Sequence, residues 1–509
     1  MSTDLDREKR AQSPTAAATD SSVAADAADA PSAGGVQAAV RRTYGVHDYL
    51  KVVGLFFVYF ITLGQVASFS TYQDYYEETL LPDYSPSSIS WIGTSQVFLL
   101  GIVGILSGAM YDRGYLHEAL FPGFVLVILG LLLLSFSYLY WHILLSQGFL
   151  IGIGGALFYI PAISIVSNNF AARPALPLGI AASGSAVGGI IWPIVFQHLL
   201  PVIGFAWLNR VFTLLVLVLS VVSYYALISG DQSVHSYHPK RRRARIFNSW
   251  FPRAKDESTV ESTVDSTVES IQEPSPQKSK KFDIILSAFN GRAYQVLCVG
   301  VFFALLGYWV PLFYLVPFAS ISLGTSRVYA SYLQSILNAA SLFGRILPAA
   351  VGHKLGAANI LLVGATALSI LVFAWVSIDS VTGITIWCIF LGFVTGSVIT
   401  IPNAVASRLS QPSNTGLRIG NMWAVGAFAE LIGPPIGGAL LMERDGKTSY
   451  LGCQLFGGAS VLIGAVFLIF PAWSIIKEDR AKKLGISDDF GESENSVRVS
   501  NDHSPLLLI

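Results

Sequence analysis

Charge is scarce in this sequence. Lysine, arginine, aspartate and glutamate supply 13% of the 509 residues, against roughly 25% in an ordinary soluble domain. A chain that is also 53% apolar points to lipid rather than water as its solvent. The 32 basic residues are balanced by 32 acidic ones, so the net positive charge that draws a protein to nucleic acid is absent and no nucleic-acid partner is expected. Cysteine is scarcer still: Cys298, Cys388 and Cys453 lie in apolar runs, with no CxxC spacing for a metal or redox site. The sequence also lacks an H-E-x-x-H, a paired-aspartate metal motif, a phosphate loop and a G-x-S-x-G elbow. Neither enzymatic activity nor a metal or cofactor is expected. A membrane enzyme and a sensor built like a transporter are the remote alternatives. The opening MSTDLDREKR lacks the basic-then-apolar pattern of a signal peptide, and residues to about Val40 read as a polar tail.

Long apolar runs fill the rest. A bilayer core needs about 20 apolar residues of helix. Such runs fall at 50–70, 89–110, 118–139, 142–166, 176–198 and 209–228, then at 294–318, 328–350, 358–377, 382–404, 418–441 and 451–475. The expectation is an all-α membrane protein of twelve transmembrane helices in two bundles of six. Residues 1–49 form an N-terminal tail, 50–228 the first bundle, 229–293 a linker, 294–475 the second bundle and 476–509 a C-terminal tail. The linker carries HPKRRRAR (238–245) and STVESTVDSTVES (258–270), segments too polar to pack a core. Basic loops stay in the cytoplasm. With both termini there, all of the 32 basic residues except Arg210, Arg327, Arg444 and Lys447 lie on or near that side. The first outer loop agrees, with Asp74, Glu77, Glu78 and Asp83 and no basic residue. Two equal helical halves around a basic middle loop are the plan of a secondary transporter with its site at mid-membrane.

Particular motifs narrow this plan. GAMYDRG, Gly108 to Gly114, lies in the turn between the second and third runs. Gly108 permits close helix contact, Asp112 can pair with a basic group or a helix N-terminus, and Arg113 offers a forked donor to a facing carboxylate or a helix C-terminus; together they form a candidate conformational latch. The motif resembles the loop signature of the major facilitator superfamily. FAARPALPLGIAASGSAVGG (170–189) resembles the fifth-span signature of its monocarboxylate-transporter-like members, matched at Phe170, Arg173, Leu176, Gly179, Ala181 and Gly184. GLRIG (416–420) with IGPPIGGAL (432–440) is similar to that family's eleventh span, and YSPSSISWIGTSQVFLL (84–100) and YDRGY (111–115) to its fungal branch. The resemblance spans both halves and implies the major facilitator fold. Its departures bear on cargo. Only Gly45 of the first-span signature survives, Val66 falls near the place of the carboxylate-binding lysine, and Ser341 stands where an aspartate precedes Arg345. A lactate-and-proton mechanism resting on that lysine, aspartate and arginine therefore does not transfer.

By the same family analogy, spans 1, 4, 7 and 10 line a central cavity. Arg345 inside span 8 is costly in lipid, which makes it a candidate for gripping an anionic substrate; the competing reading is a side chain reaching back to the cytoplasmic interface. Gln65, Gln96, Asn338, Asn403 and Asn421 offer hydrogen bonds to a ligand or between helices. Tyr308 and Tyr314 are candidate substrate contacts; with Tyr159 in span 4 they sit beside prolines, where a gate or plain aromatic packing is the alternative. Glu430 is the one charge in AVGAFAELIGPPIGGALL (424–441). It is a candidate coupling group that takes up and releases a proton, unless it serves the helix break made by Pro434 four residues on. The expected function is alternating-access transport of a small organic solute, an organic anion or fungal secondary metabolite, with export favoured. Uptake of a monocarboxylate or a vitamin-like solute such as riboflavin is the alternative. The expected partners are the substrate, the bilayer and a proton, and the protein is expected to act as a monomer. The plasma membrane is the expected location; DHSPLL (502–507) matches a sorting signal for vacuolar or endosomal membranes.

Overall fold

A computed structural model describes residues 44–230, 289–444 and 447–483. The linker motifs at 238–245 and 258–270, most of both tails and the 502–507 signal lie outside the described residues. The described residues from Gly45 onward form one unit by their contacts.

The first span is three helices in series: α1 Val46–Ile61, α2 Leu63–Ala67 and α3 Phe69–Tyr75, followed by a π turn at Tyr76–Leu80. It starts four residues before the apolar run because Asp48 accepts the orphan N–H of Gly45 at 2.9 Å, closing the first turn. The breaks at Thr62 and Ser68 have a local cause. Both hydroxyls donate back to the carbonyl four residues earlier, Val58 at 2.7 Å and Gly64 at 2.8 Å, and compete with the helical ladder there. The second span is α4 Pro86–Ile102 with α5 Gly104–Asp112, and α6 is Leu116–Leu134. The α5–α6 turn needs Gly114, which sits at φ 82°, where a side chain would be strained. The fourth span joins α7 Tyr140–Ile143, a π segment and α8 Ile151–Asn169. Spans five and six run together as α9 Ala175–Ile228, and the chain reverses at Gly204, φ 75°.

The second half contains α10 Arg292–Ile321, α11 Arg327–Leu355, α12 Ala357–Ala374, α13 Val381–Arg408, α14 Thr415–Ala439 and α15 Leu451–Lys483. Serine caps open α4, α11 and α13: Ser85, Ser326 and Ser380 each accept a backbone N–H from three residues on. Between α14 and α15 the chain forms a two-stranded antiparallel hairpin, β1 Met442–Arg444 with β2 Lys447–Ser449, where sequence reading placed only a loop. Ten of the described helices are long and apolar enough to cross a bilayer. Counting the two arms of α9 separately and adding α14 gives twelve spans. α14 falls short on apolarity because it carries Arg418, Asn421 and Glu430.

The helices pack through small residues, as membrane helices do when lipid removes the hydrophobic drive between them. α1 and α2 lie along α9, where Gly54 of α1 receives the Ser223 hydroxyl on its carbonyl at 2.8 Å and Gly64 of α2 backs onto Gly188. α10 lies along α15 through Gly300, Gly307, Gly457 and Gly464. The outer surface is apolar: Leu214, Val218, Val221 and Tyr225 on α9 and Val466, Ile469 and Trp473 on α15 are exposed, as suits a lipid-facing belt.

Candidate functional site

Between the two halves lies a cavity of about 490 Å³. One end of it is wide and polar, with Ser70, Gln73, Asp74 and Glu77 from the end of the first span and Tyr332 and Gln334 from the start of α11. Ser70, Asp74 and Tyr332 are exposed, so this end is the mouth. Deeper in, the lining becomes aromatic and contains Tyr159, Tyr308, Trp309 and Trp423 with Gln96, Ser185, Asn338, Arg345 and Glu430.

Arg345 comes from α11 and reaches across to α9. Its Nε donates to Ser341 Oγ at 3.2 Å, and Nη1 donates to the Ala182 carbonyl at 2.8 Å and to Ser185 Oγ. The residue is 7% exposed, so it does not extend to the membrane interface. Its guanidinium has no carboxylate partner among the described residues, and its two Nη2 N–H groups have no protein acceptor there. α9 admits it because Gly179 meets the Arg345 backbone and Gly189 meets Asn338, where side chains would hold the helices apart. On the same cavity, Glu430 from α14 lies beside the indole of Trp309 from α10. The Trp309 N–H is buried and makes no hydrogen bond of normal geometry. Tyr159 and Tyr308 stand within electrostatic reach of both Arg345 and Glu430.

Beyond the aromatic floor the halves close. Trp423 Nε1 donates to Asn403 Oδ1 at 2.8 Å and Asn403 Nδ2 donates to Tyr59 at 3.4 Å, joining α14, α13 and α1; Tyr59 packs edge-on to Tyr159 of α8 at 5.2 Å. Below this cluster Gly101, Gly104 and Gly108 of α4 and α5 press on the backbone of Trp423, Gly420 and Gly416 in α14. At the end of the ridge, the Asp112 carboxylate accepts the N–H groups of Gly416 at 2.8 Å and Leu417 at 2.6 Å. These are orphan donors in the first turn of α14, so a side chain from one half caps a helix of the other. Asn168 Nδ2 adds a bond to Tyr111 at 3.1 Å and another to the Pro412 carbonyl at 3.5 Å. The mouth is open and the Asp112 end is shut.

The structure thus brings Arg345, Asn338, Tyr308 and Glu430 to one cavity, and Gln96 with them. It does not bring Gln65, Tyr314 or Asn403. Gln65 is buried in α2 away from the cavity lining, its amide without a partner. Tyr314 donates to the Pro434 carbonyl at 2.7 Å and so braces α14. Asn403 sits in the floor cluster, one layer behind the cavity. Gly108 and Asp112 stand at the contact between halves, whereas Arg113 is exposed and makes no side-chain hydrogen bond among the described residues. The helix break expected at Pro434 is not seen, since α14 is continuous to Ala439; the proline only removes the helical donor of the Glu430 carbonyl, and the Glu430 side chain makes no hydrogen bond to its own backbone and lines the cavity. Sequence reasoning missed Trp309, Trp423 and Ser185 as lining residues. Ser185 lies within the fifth-span signature and carries no mark of its own; Trp309 adjoins Tyr308 in GYWVP, and that pair was the available signal.

The chain compares with known proteins as follows. The Major Facilitator Superfamily model matches residues 53–387. A transporter of this type from Aspergillus fumigatus is 33% identical over 82% of this chain and 91% of its own length. The aspyridones efflux protein of Emericella nidulans is 32% identical over 83% of this chain and 77% of its own. The agnestins efflux protein of Paecilomyces divaricatus is 31% identical over 84% and 87%. Among solved structures, the transporter FucP in the outward conformation superposes with a TM-score of 0.56 at 13% identity, covering 83% of this chain and 98% of that one.

Proposed function

The chain belongs to the major facilitator superfamily and is a multi-pass secondary transporter; from that premise we propose that its cargo is a small organic anion of the secondary-metabolite kind and that transport runs outward. The observation that carries this reading is Arg345, a buried cation on the cavity wall with two N–H donors left over. A guanidinium so placed in a low-dielectric cavity binds a carboxylate or enolate oxygen strongly. The aromatic lining suits an unsaturated carbon body. Export is supported by the relatives named for efflux.

The transport cycle follows from the same contacts. Arg345 holds Ala182 and Ser185 of the first half while facing the cavity, so an anion that recruits the guanidinium competes with a bond between the halves. Loosening that bond, together with release of Asp112 from α14, opens the opposite end by rocking. Glu430 on the cavity wall is the candidate site for a coupled proton. The distribution of basic residues supports a cytoplasmic Asp112 end and a mouth facing outward. On this reading the protein works as a monomer in the plasma membrane.

The test compares cells with and without the gene by profiling solutes in medium and cell extract. An acidic conjugated metabolite should accumulate inside and fall outside when the gene is lost. No change in any solute would contradict transport of such cargo.

A further inference from the structure

An acid and a base that share one cavity can pair directly. Here Arg345 and Glu430 both line the cavity, yet Arg345 spends its bonds on Ser341, Ala182 and Ser185 and makes no salt bridge to Glu430. They project from different helices, α11 and α14, with the rings of Tyr159 and Tyr308 near both. Glu430 makes no hydrogen bond of normal geometry to another side chain or to backbone among the described residues. α14 runs on through Pro434, whose carbonyl accepts the Tyr314 hydroxyl at 2.7 Å, without help from Glu430. The neighbouring Trp309 N–H is buried, makes no hydrogen bond of normal geometry and stands beside the acid as a nearby donor. Gln96, 3% exposed and without a side-chain hydrogen bond among the described residues, completes a polar patch in an otherwise aromatic wall.

We infer that the cavity reads two poles of one solute: an acid group at Arg345 and, across an aromatic body, an amine or amide N–H donor at Glu430. The inference rests on the reading of Arg345 given above and adds a specificity-determining residue to it. An acid set among aromatic rings gains a charge-assisted hydrogen bond from a ligand that presents N–H groups, which a plain acid ligand does not offer. Trp309 fits the same pole, since its indole donates to a ligand carbonyl of an amide. The cargo class is therefore an aromatic or conjugated acid that also carries nitrogen.

The test uses three probes on one ring system, bound to the full chain in nanodiscs and measured by titration calorimetry: naphthylacetate (acid only), naphthylalanine (acid and ammonium) and naphthylethylamine (ammonium only). Naphthylalanine should bind at least about tenfold more tightly than naphthylacetate to the unaltered protein. In Glu430→Gln, which keeps the shape of the side chain, that ratio should fall to about one. Arg345→Gln should weaken both acids and leave naphthylalanine binding no better than naphthylethylamine. Size-exclusion profiles and membrane abundance equal to the unaltered protein establish folding for each variant. An unchanged naphthylalanine-to-naphthylacetate ratio in Glu430→Gln overturns the second pole while leaving the Arg345 reading intact. Indifference of both acids to Arg345→Gln, or failure of all three probes to bind, overturns the first pole and the inference with it.

Discussion

Replacing Asp112 by asparagine removes one negative charge from the first turn of α14 and changes little else in shape. In the structure both carboxylate oxygens are engaged, by Gly416 N–H at 2.8 Å and Leu417 N–H at 2.6 Å. An anion at a helix N-terminus in a partly buried setting stabilises by up to about 2 kcal/mol. Asparagine keeps one acceptor oxygen but loses the charge and the second acceptor, so about 2 kcal/mol is the expected loss for the closed arrangement. At 1.4 kcal/mol per factor of ten, this shifts the balance toward opening of the Asp112 end by roughly 30-fold. The assay is maleimide labelling of a cysteine placed at Ala109, which is 8% exposed and packs against Leu417 of the other half. The native thiols Cys298, Cys388 and Cys453 are buried and need not be removed. In purified protein the labelling rate at Ala109→Cys should rise by that factor when Asp112→Asn is added. A rate within about twofold of the parent, with the protein intact, would refute the claim that this carboxylate holds the two halves together.

Other outcomes follow from the same contacts. Gly108→Val places a side chain on the Gly416 carbonyl; forced overpacking of about 1–3 kcal/mol should hold the Asp112 end open, giving fast Ala109→Cys labelling and lost transport at normal abundance. Trp423→Phe strips the N–H from Asn403 and leaves a buried acceptor unpaired; labelling at Ala109→Cys should rise about fivefold to tenfold, for a loss of about 1 kcal/mol. Arg345→Lys keeps the charge but loses the planar fork, so binding of naphthylacetate should weaken by about tenfold, read by calorimetry. The unaltered protein should take up no maleimide at its three native cysteines without denaturant, which mass spectrometry checks directly.

Much of the fold was legible because a bilayer imposes one rule on every span: about 20 apolar residues, each half repeating the same count. The breaks inside spans were harder to see. Thr62 and Ser68 interrupt the first span through hydroxyl bonds to their own helix, which no proline or glycine at those positions announces. In the site, Arg345 and Glu430 stood out because charge in lipid is costly wherever it points. Polar amides and tyrosines carried no such mark. Asn338 and Tyr308 face the cavity while Asn403 and Tyr314 bond within the scaffold, and nothing in their local sequence separates the two pairs. Orientation around a helix decides it, and that is set by partners far along the chain. GAMYDRG pointed to a latch, but its partner is the backbone of α14 rather than a side chain, so no residue type in GLRIG disclosed the contact.

The central claim is that an organic anion crosses the membrane through this cavity by engaging Arg345. Its most direct test is uptake into inside-out vesicles of the acidic metabolite retained by cells lacking the gene, using vesicles that carry equal amounts of unaltered protein or Arg345→Gln. Uptake at least about tenfold faster with the unaltered protein is the predicted result; equal rates for the two would contradict it.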